Sequence, residues 1–327
     1  MLKVLITNKT IHFICYFTLL LVFISCKQSK LSEIPVFDKG KAFSNARQQV
    51  SFGPRVPNSE AHKKCKEWLV SQFEQFGLQI FQQNFTARAY TGDSLFCTNI
   101  IAIQNPKSKH RIILAAHWDS RPFSDHDPDT SLHKIPVDGA DDGASGVAVL
   151  LEVARCLQQN PLINIGVDII LFDAEDYGQD SGNNPESWCL GSQFWSKTPH
   201  IVGYKADYGI LLDMVGATNP RFSVEGYSEY YAPKVVKKVW DLAAKEGYEK
   251  YFIKETVGAV TDDHYFVNTI ARIPMINIIN RPAGSKTGFV HHWHTQKDKI
   301  DVIEPISLEM VGNLLLKLLY LEDVNEI

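Results

Sequence analysis

"VDGADDGASGVAVLLEVARCL", residues 137–157, joins two adjacent acids, Asp141 and Asp142, to a helical run through a glycine-rich turn. Val147, Leu150, Leu151, Ala154 and Leu157 recur at the spacing of one helix face. Strand-like segments flank this run, "RIILAAHWD" at 111–119 before it and "VDIILFDAED" at 167–176 after it. Apart from Arg111 and Asp168 near their starts, both are apolar until they end in acids or histidine. Strands apolar along their length are buried on both faces, which predicts a parallel sheet covered by helices.

The alternation continues outward. "LQIFQQNFTAR" (78–88) and "LFCTNIIAIQ" (95–104) read as earlier strands, preceded by two helices across 42–77 that are separated by a turn at Gly53 and Pro54. In the second of these helices Cys65, Trp68, Leu69, Phe73 and Phe76 make an apolar stripe that Gly77 ends. Downstream, "GILLDMVGA" (209–217) and "IPMINIIN" (273–280) are strands, and "RFSVEG" (221–226) is a candidate for another. "SEYYAPKVVKKVWDLAAKEG" (228–247) reads as one long amphipathic helix, and 305–324 as a terminal helix started by Pro305. The expected fold is α/β: a mostly parallel mixed central sheet with helices on both faces, in which ligands collect at the strand carboxyl ends.

The 327 residues are 45% hydrophobic, enough for a large core and too many for a disordered chain. The net charge of -4, with no dense Lys/Arg run, excludes a nucleic-acid partner. Lys3 and Lys9 precede the apolar run Ile11–Ser25, which ends at Cys26. Residues 1–26 therefore read as a signal peptide or a lipoprotein or membrane anchor, 27–42 as a polar tether, and 43–327 as a single catalytic domain. Any membrane contact runs through that anchor alone, and the folded part sits outside the cytoplasm, in the periplasm or cell envelope, lipid-anchored if Cys26 is modified. Cys65, Cys97, Cys156 and Cys189 contain no CxxC spacing, so a thiolate metal cluster is not supported; disulfides and buried thiols both stay open.

Ligand-type side chains fall at one strand end after another, His117 and Asp119, Glu175 and Asp176, Asp213, Asp262 and Asp263, then His291, His292 and His294, while Asp141 and Asp142 precede a helix. An acid pair before a helix is usually a cap and dipole partner. Asp213, set between Leu212 and Met214 in a buried strand, needs a partner or a metal. Five independent strand ends supplying such groups favour a shared divalent-metal site.

The motifs "AAHWDS", "DGADDGASGVAVLLEVARCL", "IILFDAEDYG", "GILLDMVG", "VTDDHYF" and "HHWHT", in this order from about Phe43 onward, resemble the zinc aminopeptidase-like M28 clan. Within it they are most similar to the bacterial-type glutaminyl-peptide cyclotransferases. The resemblance implies a zinc bound by Asp142, Asp176 and His294, with Asp141 serving the turn or helix start. Asp176 stands where many members carry Glu. It also implies Glu175 as general acid/base, Asp213 and Asp262 in an acid network beside it, and Trp188 and Trp293 as walls of the substrate pocket. Animal members carry a His where this chain has Asn277, so the proton network differs there. The implied reaction closes the N-terminal glutamine of a peptide or protein to pyroglutamate with loss of ammonia. The alternative is a two-zinc aminopeptidase, in which His117 and Asp213 bind a second zinc. A non-catalytic relative is disfavoured, because no ligand is missing.

Overall fold

Asp38 starts the first helix: its carboxylate accepts from the amides of Gly40 and Lys41 and caps α1 (Lys39–Ser51). The computed structural model describes residues 33–180 and 184–327, so the expected export segment, Cys26 and residues 27–32 of the tether lie outside the described residues. Phe37 is buried against Gly312, and Ala42 is buried as well, so the folded unit begins ahead of Phe43. The sequence reading of 27–42 as tether is corrected for its last residues, which cap and pack.

α2 (Glu60–Gln75), capped by Ser59, leads to β1 (Gln79–Arg88) and β2 (Ser94–Gln104). Then follow β3 (Arg111–His117), α3 (Ala144–Gln159), β4 (Gly166–Phe172), α4 (Leu190–Lys197) and β5 (Tyr208–Asp213). The chain continues through β6 (Phe222–Val224), α5 (Gly226–Tyr231), α6 (Pro233–Lys245) and β7 (Phe252–Thr256). α7 (Asp263–Phe266) runs into a π-helical turn at Val267–Ala271, and β8 (Met275–Ile279) and α8 (Pro305–Asp323) complete the unit.

The main sheet has the order β1-β2-β4-β3-β5-β8. β4, β3, β5 and β8 run parallel, while β1 and β2 form an antiparallel edge. The mixed, mostly parallel sheet is thus as expected. Ile113 and Ala115 of β3, Ile170 and Phe172 of β4 and Leu211 of β5 pack with Trp195 of α4 and with Val267. Alternate residues turn to the opposite face, where α3 lies on β3 and β5 with α1 and α8 against it. All four parallel strands discharge their chains at one edge.

One reading is corrected, and one strand was missed. The helix expected over 228–247 is two, because Pro233 lacks an amide hydrogen and forces Ala232 out of helical geometry (φ -134, ψ 44). β6 does not join the main ladder; it pairs in parallel with β7, which the sequence reading missed. β7 carries a single buried residue at its start and otherwise faces outward, so it has no period-two signal to read. Cys65, Cys97, Cys156 and Cys189 are buried free thiols, which decides between the two alternatives. Among the described residues no helix is long and apolar enough to cross a membrane.

Candidate active site

β3 ends at His117, opposite Phe172 of β4, and the turn into α3 brings Asp142 against it, with His117 Nε2 3.0 Å from Asp142 Oδ1. The approach is close enough to require glycine: a Cβ on Gly143, at φ +96, would lie 2.6 Å from the Asp119 carbonyl and 3.1 Å from the His117 ring. After β4 the chain turns through Ala174 at φ +53 and presents Glu175 and Asp176; after β5, Met214 at φ +48 follows Asp213. His294 itself sits at φ +54. Left-handed conformations at non-glycine residues cost about 1–3 kcal/mol each and recur where side chains are aimed at a site.

Two clusters share Asp142. In one, His294 Nε2 is 3.1 Å from Asp176 Oδ1 and 3.8 Å from Asp142 Oδ2. In the other, His117 Nε2 faces Asp142 and lies 3.5 Å from Asp213 Oδ1. The ligand atoms within each trio lie within 4.8 Å of one another. Both ring nitrogens of His117, Asp176 Oδ2 and Asp213 Oδ1 are buried without a hydrogen-bond partner among the described residues. Buried polar atoms that converge yet make no hydrogen bonds fit a divalent cation, and an oxygen-rich set completed by imidazole suits zinc.

Glu175 stands beside the first trio, its Oε1 3.1 Å from the Cys189 thiol sulfur. Burial, reinforced by the charges of Asp262 and Asp176 and opposed by His117, pushes its carboxyl well above the usual range. Asp213 is raised in the same way by burial, with Asp262 and Asp142 adding to it against His117. The charge of Asp262 thus acts on Asp213, and Asp262 Oδ2 accepts from Asn277 Nδ2 at 2.6 Å.

Asp142, Glu175, Asp176, Trp188, Asp213, Asp262, Trp293 and His294 all line one cavity of about 320 Å³. The Trp188 ring lies near-parallel to that of His294 (15°, centroids 5.9 Å apart) and under the Arg121 guanidinium at 4.6 Å. Trp293 stacks on the other partners of the wall, 3.7 Å from His294 and 4.4 Å from Phe289. His291 is exposed and takes no part.

Asp141 does not cap α3, whose N-cap residue is Gly143 without a side-chain bond. Its carboxylate instead accepts from Gly216 N at 2.8 Å and pairs with His292 Nε2 at 2.9 Å, tying three segments together. The sequence reading took Asp119 only as a strand-end candidate ligand and gave no role to three other supporting residues, Asp298, Asp125 and Arg121. Asp119 accepts from the amides of Glu175 and Asp176, both at 3.1 Å, and Asp298 accepts from those of Asp141 and Asp142 at 2.8 and 3.1 Å. Asp125 lies 3.4 Å from His294 Nδ1, and Arg121 donates to the carbonyls of Asp176 and Gly178 at 2.8 Å.

The sequence profile of peptidase family M28 matches residues 99–319. A glutaminyl cyclase of Bacteroides thetaiotaomicron, solved with N-acetylhistamine, is 47% identical with a TM-score of 0.85, over 88% of this chain and 99% of that one. A Zn-dependent exopeptidase of Parabacteroides distasonis is 49% identical with a TM-score of 0.86, over 88% and 99% of the two chains. Among curated sequences, the glutaminyl-peptide cyclotransferase of Drosophila melanogaster is 25% identical over 82% of this chain and 77% of its own.

Proposed function

The chain belongs to peptidase family M28 and to the bacterial glutaminyl cyclases within it, and from that premise we propose that it closes N-terminal glutamine to pyroglutamate. The substrate's free α-amine forms a bond to its own γ-amide carbon, the carbon–nitrogen bond of the amide breaks, and ammonia leaves. The observation that carries this reading is one small cavity that Glu175, whose carboxyl is pushed above its usual range by burial, shares with the Asp142, Asp176 and His294 trio and with Trp188 and Trp293. A space of about 320 Å³ suits one flat side chain.

Asp142, Asp176 and His294 hold one zinc, which when bound supplies a Lewis acid for the γ-carbonyl oxygen. Glu175 takes the proton from the attacking amine and returns it to the departing nitrogen, a task suited to a carboxyl whose proton affinity has been raised. Asp213 and Asp262 line the same cavity, and the charge of Asp262 adds to burial in sustaining that affinity. Trp188 and Trp293 orient the glutaminyl side chain and exclude water, which would compete with the internal amine. Nucleophile and electrophile share one residue, so much of the proximity requirement is met by the substrate itself.

A specific observation favours a second reading: the His117, Asp142 and Asp213 trio has the composition and spacing for another ion, as a two-zinc aminopeptidase requires. In that case Glu175 is the base for a hydrolytic water. Residues 1–26 are proposed to export the chain to the periplasm or envelope, by lipidation at Cys26 or as an uncleaved anchor; the apolar run ending at Cys26 supports this.

Ammonia release from a glutaminyl peptide, followed with the zinc-loaded folded unit and with Glu175→Gln, tests the proposal. The expected result is release that the variant loses while its zinc content is unchanged. Equal release by the variant refutes the role of Glu175.

A further inference from the structure

β8 ends at Ile279, and the chain leaves it through Asn280 and Arg281 at the strand-end edge that carries the site. The exit is pinned to the segment before β6: Arg221 N donates to Asn280 Oδ1 at 2.9 Å, and Arg281 N donates to the Arg221 carbonyl at 2.8 Å. The side chain is oriented as firmly. Arg281 Nε donates to the Gly288 carbonyl at 2.5 Å, and the guanidinium lies 4.9 Å from the Phe289 ring centroid. Gly288, at φ +83, leaves room for it, since a Cβ there would come within 2.7 Å of Nη2.

What this arrangement lacks is a partner for Nη1, which is buried and makes no hydrogen bond among the described residues. Arg281 lines the same cavity as Glu175, Asp213 and Asp262, yet the hydrogen bonds of Asp262 go to Asn277 and Asp263. A guanidinium nitrogen only donates, so its missing partner is an acceptor. A buried donor left unpaired is costly, and a ligand that completes it is bound more tightly by a comparable amount.

We propose that Arg281 is the specificity residue that reads the substrate's main chain, its Nη1 donating to the α-carbonyl oxygen of the glutaminyl residue. The inference rests on the cyclase reading. In that reading Glu175 receives the α-amine and the Asp142, Asp176 and His294 trio faces the γ-amide. The α-carbonyl oxygen is then the one acceptor of the first residue still unclaimed. Thr287, Phe289 and Trp293 line both this cavity and an adjoining groove of about 790 Å³, so the following residues of a peptide have a surface to lie on. The contact is made to a group whose bonding does not change in the reaction, so it contributes to binding rather than to the chemical step.

Wild type, Arg281→Met and Arg281→Lys are compared on glutaminyl-alanine amide and on 4-aminopentanamide, in which a methyl group stands in place of the α-carbonyl and no acceptor remains there. On the amide, Arg281→Met is expected to raise KM about tenfold to a hundredfold with kcat held, and Arg281→Lys to recover part of the loss. On 4-aminopentanamide the Met variant and wild type are expected to share one KM. A KM that rises equally on both substrates overturns the proposal and leaves Arg281 as packing for Phe289 and Gly288. So does a fall in kcat at constant KM, or no change on either substrate. Arg281→Lys keeps the comparison decisive if the Met variant does not fold. Failure of the wild type to release ammonia from either substrate refutes the cyclase reading itself, a separate result.

Discussion

Asp119→Asn tests how Glu175 and Asp176, the proposed acid/base and its neighbouring metal ligand, are held. The Asp119 carboxylate is buried and accepts, one oxygen to each, from the successive amides of Glu175 and Asp176 at 3.1 Å. Asparagine keeps one acceptor and turns an amide donor toward the other N–H. One charge-assisted bond, about 1.5–3 kcal/mol, is lost, and a buried amide is left facing a donor, a cost of about 1–3 kcal/mol. The expected destabilisation is about 3 kcal/mol, read as a lower urea midpoint at unchanged slope. The turn carrying Glu175 and Asp176 then loses its register. A displacement near 1 Å at the chemistry costs about a hundredfold in rate, and loss of such an outer support costs about tenfold to a hundredfold in metal affinity. A chelator-competition titration measures the second effect. Stability within about 0.5 kcal/mol of wild type together with unchanged zinc affinity would refute the reasoning.

Two further outcomes follow from the structure. Glu225 caps α5 by accepting from Tyr227 N and Ser228 N and pairs with His264 at 2.8 Å; burial opposes its charge, but these bonds bring its carboxyl down to about 2 from 4.5. A depressed acid stabilises the fold above its unfolded value and loses that contribution as pH falls through the folded one, so about 3 kcal/mol disappears between roughly pH 4.5 and 2. Urea unfolding of Glu225→Gln over that window should be flatter than wild type by this amount, and parallel curves would contradict it. Trp188→Ala removes a ring that lies under Arg121 and near-parallel to His294 and should raise KM for a glutaminyl peptide about tenfold, in line with lost cation–π and stacking contacts; an unchanged KM would remove Trp188 from the pocket's function.

The parts of the fold legible in the sequence are those with a strong local period. β3, β4 and β5 are apolar runs that end in acids or histidine, and the terminal helix and α3 carry clear faces. The break at Pro233 was written in the sequence, but the amphipathic period on both sides of it outweighed one residue. The metal trio, Glu175 and the two tryptophans were reached through motif order, since each motif alone has an ordinary structural reading. The clamping of backbone amides by Asp119 and Asp298 was not legible, because the partners lie 56 and 157 residues away and such contacts leave no side-chain pattern; Asp119 stood out only as a strand-end candidate ligand. Arg281 stood in an unremarked loop, where only the folded chain shows that Nη1 is buried without a partner.

The central claim is that one residue of the substrate supplies both nucleophile and electrophile. Mass spectrometry of a glutaminyl tripeptide incubated with the purified, zinc-loaded protein tests it most directly. The account predicts an intact tripeptide lighter by one ammonia; release of free glutamine and a dipeptide would contradict it and assign His117 and Asp213 to a second zinc.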